Sequence, residues 1–425
     1  MFYCRICHSV NTHLFLSLGT TPLANGFLSA DQLNDPEPCY PLDMYFCSSC
    51  GLVQVGYVVP PEVMFRNYIY VSSTSDTLPV HFADYANEIA ERFILSGDDW
   101  VAEIGSNDGC LLKGFRKHNI RTLGIEPATN IAKIARDNGV ETLNDFFCER
   151  VAKAVRAEKG PAKVLIGNNV LAHIGDLPDV LAGLDIILKP DGVAVFEVPY
   201  LVDLMEKLEF DTAYHEHLSY FSVGALQNLF KLSRMRLFDI KREKVHGGTI
   251  RVYACRENAS YSRQPAVDQL IALERERGLE SLEAFLTFGE QVRQLKKDLV
   301  DLLRNLRSRG ARLAGYGAPA KGNTLLNYLD IGTDLLDYIV DKSPHKQGLY
   351  TPGMHIPVLP VDKLLSDQPD FVLLLAWNFA DEIFRQQKQY IDQGGAFIVP
   401  APSPRIVPEN REGQYLSRLS ASGKA

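Results

Sequence analysis

The chain has no long apolar run and no block of basic residues. Its longest hydrophobic stretches, such as Phe371 to Trp377, have the length of a strand and are too short to span a membrane. The formal net charge is -8 and no lysine or arginine cluster offers a phosphate-binding stripe, which argues against a nucleic-acid partner. The opening residues, MFYCRICHSV, lack a cationic segment followed by an apolar one, so we expect no secretory signal. We therefore expect a cytoplasmic protein with no membrane partner and no obligatory protein partner.

Cysteine is present in eight copies, and four of these form two Cys-x-x-Cys turns. A reducing cytoplasm disfavours a disulfide framework in a chain of this length. Each turn directs two thiolates at one point, and two such turns complete a tetrahedral sulfur site for zinc. With no open coordination position, this zinc is expected to be structural. The predicted ligands are Cys4, Cys7, Cys47 and Cys50.

Strand-like and helix-like patterns alternate from about residue 81 to 256 and again from residue 311. Such alternation predicts an α/β fold with mostly parallel, doubly wound sheets. In the first block the strand-like runs include Trp100–Ile104 and Arg121–Ile125. A charged, periodic segment between the blocks predicts long, partly exposed helices. The expected units are a zinc-binding domain (1–68), a Rossmann-like domain (69–257), a helical linker (258–308), a C-terminal Rossmann-like domain (309–410) and a tail (411–425).

The segment Glu103-Ile-Gly-Ser-Asn-Asp-Gly109 follows a predicted strand and precedes a predicted helix. Its backbone can approach a nucleoside cofactor, and Glu126, at the end of the next strand, has the spacing of a ribose ligand. The segment lacks the three glycines that a dinucleotide pyrophosphate favours. S-adenosylmethionine and a dinucleotide both remain open from these residues alone, as does a plain tight turn.

The segment Tyr214-His215-Glu216-His217 is dense in groups that move protons. It lacks the helical histidine spacing of zinc proteases, so a general base beside a reacting carbon is the favoured interpretation, with structural packing as the alternative. In an extended backbone the two histidines would face together, and a loop would break that rule. Polar residues after the strand ending near Gly167 lie at the ligand-binding edge of such a sheet. They are Asn168, Asn169 and His173.

Two further glycine turns carry polar groups. His246 stands at the first, where contact with a substrate and simple capping are both possible. The second, Gly315-Tyr-Gly-Ala-Pro-Ala-Lys321-Gly-Asn323, opens a predicted helix. Main-chain amides at a helix start beside a lysine make an anion site suited to a nucleotide diphosphate.

Taken together, these motifs resemble those of the nucleotide-sugar C-methyltransferases, best known as dTDP-sugar C-3'-methyltransferases. The resemblance covers nearly the whole chain. It is carried, in order, by CRIC…CSSCG, NYIYVSSTSD, EIGSNDG, GIEPA, YHEHLSYFS, HGGTIRVY, GYGAPAKGN and VDKSPHKQG.

The resemblance implies a structural zinc, S-adenosylmethionine as cofactor and a nucleotide-linked 4-keto sugar, most commonly on thymidine diphosphate, as substrate. It implies that His217 is the base that removes the C3 proton, giving an enolate that takes the methyl group. Catalytic neighbours would be Tyr214, Glu216 and Tyr68. Cofactor contacts would come from Glu103, Gly105, Asn107, Asp108, Glu126 and Asn168. Substrate contacts would come from Asn169, His173, His246, Lys321, Asn323 and Lys346.

Two other functions fit parts of the pattern. A nicotinamide-dependent oxidoreductase acting on a nucleotide sugar would share the Rossmann-like shape, since fold alone does not determine the reaction. A non-enzymatic zinc-ribbon protein that binds a nucleotide would account for the cysteines but would leave Tyr214 to His217 unexplained.

Overall fold

The computed structural model describes residues 2–66, 71–74, 78–243 and 247–411, together with residues 413 and 415. Within this part of the chain, strands assemble into three sheets with helices packed between and around them. The second and third sheets are mostly parallel and the first is antiparallel. The predicted α/β fold class is confirmed.

The first sheet belongs to the N-terminal part of the chain. Its strands are β1 (Thr12–Pro22), β2 (Cys39–Cys47) and β3 (Val53–Val55), and the short helix α1 (Pro61–Phe65) follows. A fourth strand, Ser219–Tyr220, comes from the middle of the chain and pairs antiparallel with β3. The N-terminal sheet is therefore completed by the residues that directly follow the Tyr214 to His217 segment.

The central part of the chain forms a seven-stranded sheet. Its central strands are the most deeply buried: Trp100–Ile104 is buried throughout and Ala162–Asn168 nearly so, as expected for a parallel sheet covered on both faces. The elements, in chain order, are α2 (Leu78–Arg92), β4 (Trp100–Ile104), α3 (Cys110–Gly114), β5 (Arg121–Ile125), α4 (Thr129–Asp137), β6 (Thr142–Leu143), α5 (Glu149–Lys159), β7 (Ala162–Asn168), α6 (Leu177–Ile187), β8 (Leu188–Pro199), α7 (Leu201–Glu206), β9 (Ser219–Tyr220), α8 (Val223–Lys231), β10 (Met235–Glu243) and β11 (Thr249–Arg256).

The order of strands in this sheet is β10-β11-β8-β7-β4-β5-β6, and β11 alone among them runs antiparallel to its neighbours. The order reverses between β4 and β7, which lie side by side. Ligands of open α/β sheets bind at such a reversal, outside the carboxyl ends of the strands. The turns that follow β4, β5 and β7 all open there.

Two helices join the central and C-terminal parts, α9 (Pro265–Glu276) and the long α10 (Leu282–Ser308). The inward stripe of α10 packs on the first sheet, with the ring of Phe285 centred 4.4 Å from that of Phe46 and 5.3 Å from that of Phe15. At Gly289, helix α10 lies so close to strand β1 that a Cβ on this glycine would be 2.4 Å from the carbonyl oxygen of Phe15. Helix α10, which belongs to the charged segment of the sequence, thus packs the zinc-binding part against the rest of the molecule.

The C-terminal part repeats the doubly wound plan. Its elements are β12 (Leu313–Tyr316), α11 (Ala320–Leu329), β13 (Ile339–Val340), β14 (Val358–Leu359), α12 (Lys363–Asp367), β15 (Phe371–Leu374), α13 (Ala380–Gln386), α14 (Lys388–Asp392), β16 (Ala396–Val399) and β17 (Arg405–Val407). The sheet order is β14-β13-β12-β15-β16-β17, with β17 antiparallel to β16. Its order reverses between β12 and β15, so the glycine turn after β12 opens at the ligand-binding edge. Among the described helices, none combines the length and apolar character that a membrane crossing requires.

Candidate active site

The four cysteines of the two Cys-x-x-Cys turns converge at one end of the first sheet. Their sulfurs all lie within 4.8 Å of one another, with Cys4 Sγ 3.4 Å from Cys50 Sγ and Cys7 Sγ 3.6 Å from Cys47 Sγ. Zinc–sulfur bonds of about 2.3 Å at tetrahedral angles would set neighbouring sulfurs roughly 3.8 Å apart. The cluster therefore fits a tetrahedral zinc ion with four protein ligands and no open position.

Arg5, inside the first cysteine turn, reaches from the zinc cluster towards the central part of the chain. Its guanidinium donates to the carbonyl oxygen of Leu218 at 2.9 Å and to that of Val55 at 2.5 Å. Arg5 is 8% exposed, so these bonds are buried. Leu218 directly follows His217, and the zinc-binding turn thereby fixes the main chain next to the predicted base.

The turn after β4 adopts the open geometry that a cofactor backbone contact requires. Gly105 and Asn107 both have positive φ, at 61° and 49°. A Cβ on Gly105 would lie 3.0 Å from Cγ2 of Val170, so only glycine lets the turn pass the segment that follows β7. The main chain here is held close to the reversal point of the sheet.

Glu126, at the end of β5, braces this turn. Its carboxylate accepts hydrogen bonds from the amides of Asn107 and Ala128, each at 2.8 Å. Burial raises the pKa of Glu126, and these two amides oppose that shift. The predicted ribose ligand is thus buried and held by the main chain at the carboxyl edge of the sheet.

Acidic oxygens without partners gather around the same turn. Both carboxylate oxygens of Asp108 and one of Glu103 are buried and accept no hydrogen bond from the described residues. The Glu103 carboxylate receives the amide of Asn168 at 3.3 Å, and burial followed by the nearby Glu126 and Asp108 raises its pKa well above the usual value. A cationic ligand would favour the ionised form of these buried carboxyl groups.

This charge pattern bears on the choice of cofactor. The sulfonium and ammonium groups of S-adenosylmethionine would compensate the buried carboxylates, whereas the pyrophosphate of a dinucleotide would be repelled by them. The donor set therefore fits S-adenosylmethionine, which Glu103, Asp108, Asn168 and, at the ribose, Glu126 would hold.

His217 and Tyr214 form a directly bonded pair. The hydroxyl of Tyr214 lies 2.9 Å from Nε2 of His217, and Nδ1 of His217 lies 2.9 Å from the carbonyl oxygen of Thr212. A carbonyl oxygen only accepts, so Nδ1 carries the proton of the neutral imidazole and Nε2 carries the lone pair. The arrangement leaves the basic nitrogen on the side of Tyr214.

Residues 214–217 form a turn rather than a strand. The rings of Tyr214 and His217 consequently lie in contact, tilted by 34° with centroids 4.1 Å apart, while His215 turns away and its Nε2 lies 3.2 Å from the carbonyl oxygen of Tyr40. The rule for an extended backbone, which would place the two histidines on one side, does not hold here because the chain reverses between them.

His173 joins the Tyr214–His217 pair from the turn after β7. Its ring centroid is 4.9 Å from that of His217, and its Nδ1 is buried without a hydrogen-bond partner in the described ranges. Burial, with a smaller contribution from His217, lowers the pKa of His173 to about 3. His173 is therefore a neutral imidazole at physiological pH. Asn169 beside it has a positive φ of 54° and a buried side-chain oxygen that accepts no bond from the described residues.

Glu216 is held by a residue that the sequence did not single out. Asn25, in the excursion between β1 and β2, donates its side-chain amide to Oε1 of Glu216 at 2.6 Å. The preceding carbonyl, of Ala24, accepts from the side-chain amide of Asn323 at 2.7 Å. One loop of the zinc-binding part thus touches both the histidine cluster and the C-terminal glycine turn.

In the C-terminal part, Lys321 stands at the start of α11 and points at the central part of the chain. Its Nζ lies 3.5 Å from Oδ1 of Asp211 and 4.0 Å from the ring centre of Trp377. The indole nitrogen of Trp377 donates to Oδ2 of the same aspartate at 2.7 Å. This lysine therefore joins the two parts of the chain.

The second lysine of this region, Lys346, lies under the turn after β12. It donates to the carbonyl oxygen of Ala318 at 2.8 Å, and burial lowers its pKa. The amide of Ala318 donates to Asp341 at 2.6 Å. The three residues predicted to face a diphosphate, Lys321, Asn323 and Lys346, are all engaged with protein groups around one turn.

The predicted site residues thus fall into two connected groups. The histidine cluster and the acidic cofactor turn share the carboxyl edge of the central sheet, and Lys321 links that edge to the C-terminal turn. Two predicted residues, Tyr68 and His246, lie outside the described residues. The roles assigned to individual side chains stay predictions.

Comparison with known proteins gives the chain a family. Its segments match a domain described as zinc-binding over residues 4–65, a methyltransferase domain over 82–233 and the C-terminal domain of C-methyltransferases over 244–402. It is similar to the C-methyltransferase NovU of Streptomyces niveus, with 37% identity over 404 residues that cover 95% of this chain and 96% of NovU.

Solved structures resemble the chain more distantly. The PH0226 protein of Pyrococcus horikoshii OT3 is 14% identical and aligns over 47% of this chain and 97% of its own, with a TM-score of 0.35. An S-adenosylmethionine-dependent methyltransferase of Clostridium acetobutylicum ATCC 824 is 12% identical over 43% of this chain and 94% of its own, also with a TM-score of 0.35. Likeness at this level supports no argument about function.

The predicted cofactors, S-adenosylmethionine and a structural zinc ion, agree with the matched domains and with the four-cysteine cluster. The similarity to NovU extends over all three parts of the chain. The chain belongs to the S-adenosylmethionine-dependent C-methyltransferases that carry an N-terminal zinc-binding domain.

Proposed function

We propose that this C-methyltransferase removes the C3 proton of a nucleotide-linked 4-keto-deoxysugar and methylates the resulting enolate to give a branched-chain sugar. The resemblance to dTDP-sugar C-3'-methyltransferases favours thymidine diphosphate as the carrier. A ketone acidifies the hydrogen on the neighbouring carbon, so the reaction needs a base of ordinary strength at that carbon, and it needs donors for the oxygen that becomes negative.

His217 is suited to be that base. Its Nδ1 donates to the carbonyl oxygen of Thr212 at 2.9 Å, which holds the imidazole in the tautomer with a lone pair on Nε2. When the C3–H bond breaks, the electron pair passes into the enolate and the proton passes to Nε2. The imidazolium so formed keeps its bond to Thr212.

Tyr214 and His173 are suited to stabilise the enolate oxygen. The hydroxyl hydrogen of Tyr214 can turn from Nε2 of His217 to the substrate oxygen, which frees the lone pair of the base at the moment it is needed. His173 is a neutral imidazole because burial lowers its pKa to about 3, so its ring can approach the reacting centre without adding charge. Donors aimed at the developing charge are the usual source of a large rate effect.

The cofactor, when bound, supplies an electrophilic methyl group on a sulfonium ion. The residues that would hold it are Glu103, Asp108 and Asn168 at the charged end and Glu126 at the ribose. Their part is to orient that group and exclude water. The turn that carries Lys321 would take the diphosphate of the sugar nucleotide, because main-chain amides and a lysine at a helix start attract anions.

The observation that carries the proposal is the Tyr214–His217–Thr212 chain beside the neutral His173. Its test is methyl transfer to a dTDP-4-keto-6-deoxyhexose, followed by mass spectrometry of the sugar nucleotide. The expected product is heavier by one CH2 group and forms only with S-adenosylmethionine. Exchange of His217 for Asn keeps a donor for Thr212 but removes the basic nitrogen, so product formation should fall by at least about a hundredfold.

The matched control is His215→Gln. His215 is the other histidine of the turn and is buried, and its contact with Tyr40 lies away from the cluster. This variant should retain most of the activity. Full activity of His217→Asn would remove His217 from the role of base, and absence of product from the wild-type protein with thymidine, guanosine and cytidine carriers would overturn the substrate class.

A further inference from the structure

Asp211 lies at the junction of the central and C-terminal parts and has no part in the reaction described so far. It is 0% exposed and belongs to the single helical turn Phe210–Thr212. Within the described part of the chain, the two side-chain polar contacts of Asp211 beyond that turn come from the C-terminal part. Oδ2 accepts from Nε1 of Trp377 at 2.7 Å, and Oδ1 lies 3.5 Å from Nζ of Lys321.

The residue after Asp211 holds the proposed base. The carbonyl oxygen of Thr212 accepts from Nδ1 of His217 at 2.9 Å and, more weakly, from the hydroxyl of Tyr220 at 3.4 Å. Adjacent residues in a buried turn move together. A shift of the Asp211 side chain would therefore displace the adjacent carbonyl group that selects the tautomer of His217.

The single positive charge of Lys321 serves two interactions, one with Asp211 and one with the proposed diphosphate. Lys321 stands at the start of α11, where a diphosphate would bind, and its side chain is 12% exposed. Its ammonium also balances a carboxylate that is 1% exposed, and it stacks on the Trp377 ring. An anion bound at the turn would compete with Asp211 for the ammonium group of Lys321.

We propose that Asp211 is a positioning residue that couples the diphosphate turn to the base. It fixes the carbonyl of Thr212, and through it the basic nitrogen of His217, and it shares Lys321 with the bound diphosphate. This inference rests on the proposed function. It predicts that removing the charge of Asp211 strengthens diphosphate binding while it weakens the action of the base, an opposite pair of effects that general damage to the fold would not produce.

Asp211→Asn is the direct test because the amide has the same shape and its oxygen can still accept from Trp377. With Lys321 no longer neutralised, the dissociation constant of dTDP, and that of inorganic pyrophosphate, should fall several-fold in calorimetric titrations of the protein loaded with S-adenosylmethionine. The rate of solvent-deuterium exchange at C3 should fall roughly tenfold, the size expected for one hydrogen bond involving a charged group.

A second measurement does not depend on turnover. In ¹⁵N NMR spectra of the full chain with labelled histidine, the wild-type His217 should show the Nδ1-protonated tautomer, and Asp211→Asn should move the population towards the Nε2-protonated form. Asp337→Asn is the control, since Asp337 pairs with Arg307 at 2.6 Å on the outside of the C-terminal part. It should change neither reading.

Trp377→Phe provides a second variant if Asp211→Asn does not fold. It removes the donor to Asp211 but leaves an aromatic ring beneath Lys321, so the His217 tautomer should shift while dTDP affinity stays near the wild-type value. An unchanged tautomer in both variants, or weaker dTDP binding in Asp211→Asn, would overturn the coupling. Failure of the proposed function would look different, because the variants would then show these NMR and binding effects while the wild-type protein methylated no keto sugar.

Discussion

Glu209 offers a sharp test of how charge is arranged at the junction of the central and C-terminal parts. The residue is 6% exposed and its carboxylate faces the glycine turn after β10, where a Cβ on Gly247 would lie 2.9 Å from Oε1. Burial is the main cause that raises its pKa from 4.5 to about 7, and Asp211 adds to it while Lys321 opposes it. The folded protein thus prefers the neutral acid below about pH 7.

The sign of the pH dependence follows from proton binding. Below the unfolded pKa of 4.5, Glu209 holds its proton in both the folded and the unfolded state, and its contribution to the free energy of unfolding is fully present. Between 4.5 and about 7 the folded state keeps a proton that the unfolded chain has released, so stability falls as pH rises. Each pKa unit corresponds to about 1.4 kcal/mol, so the complete loss above pH 7 is roughly 3 kcal/mol.

Glu209→Gln removes this titration because glutamine resembles the protonated acid at every pH. We expect the variant and the wild-type protein to unfold at similar temperatures near pH 5. At pH 8.5 the variant should unfold several degrees higher, since 1 kcal/mol shifts the midpoint by about 2–4 °C for a unit of 150–250 residues. Glu257→Gln, at an exposed turn, is the control. A constant difference between Glu209→Gln and the wild-type protein across this pH range would refute the assignment.

Three further predictions concern the zinc-binding part. Cys47→Ser should reduce the zinc content measured by atomic emission and lower the unfolding temperature, and wild-type zinc content would contradict the four-sulfur site. Arg5→Met removes the buried guanidinium donors to Leu218, which lies beside the base, and to Val55. This variant should retain its zinc but have a kcat roughly tenfold lower. An unchanged kcat would show that the contact with Leu218 does not matter to the reaction. Asn25→Ala should lower kcat through Glu216 but leave the affinity for S-adenosylmethionine, measured by calorimetry, unaltered; a loss of cofactor affinity would contradict this.

Local sequence patterns were enough to predict much of the fold. The runs Trp100–Ile104 and Arg121–Ile125 form strands β4 and β5 with the predicted bounds, because a short apolar run ended by turn residues has few other solutions inside a parallel sheet. In the second alternating block, β13 is limited to Ile339–Val340, because each neighbouring strand pairs with only two of its residues. Periodicity predicts a strand's existence better than its ends.

The candidate site was predictable only where its residues are close in sequence or follow a strand. The cysteine turns and the acids at the ends of β4 and β5 have such local patterns. Asn25, Arg5 and Asp211 do not, since their partners Glu216, Leu218 and Trp377 lie 191, 213 and 166 residues away. Contacts of this kind are created by packing of the three parts against one another, and no spacing in the sequence reports them.

The central claim is that His217 takes a proton from the carbon next to a sugar ketone. Its most direct measurement is deuterium incorporation into a dTDP-4-keto-6-deoxyhexose in deuterated water, followed by NMR at C3 in the absence of S-adenosylmethionine. The account predicts exchange at C3 with the wild-type protein and with His215→Gln, and little above the uncatalysed rate with His217→Asn. Exchange at the wild-type rate in His217→Asn, or exchange that is no faster with the wild-type protein than without it, would contradict the account.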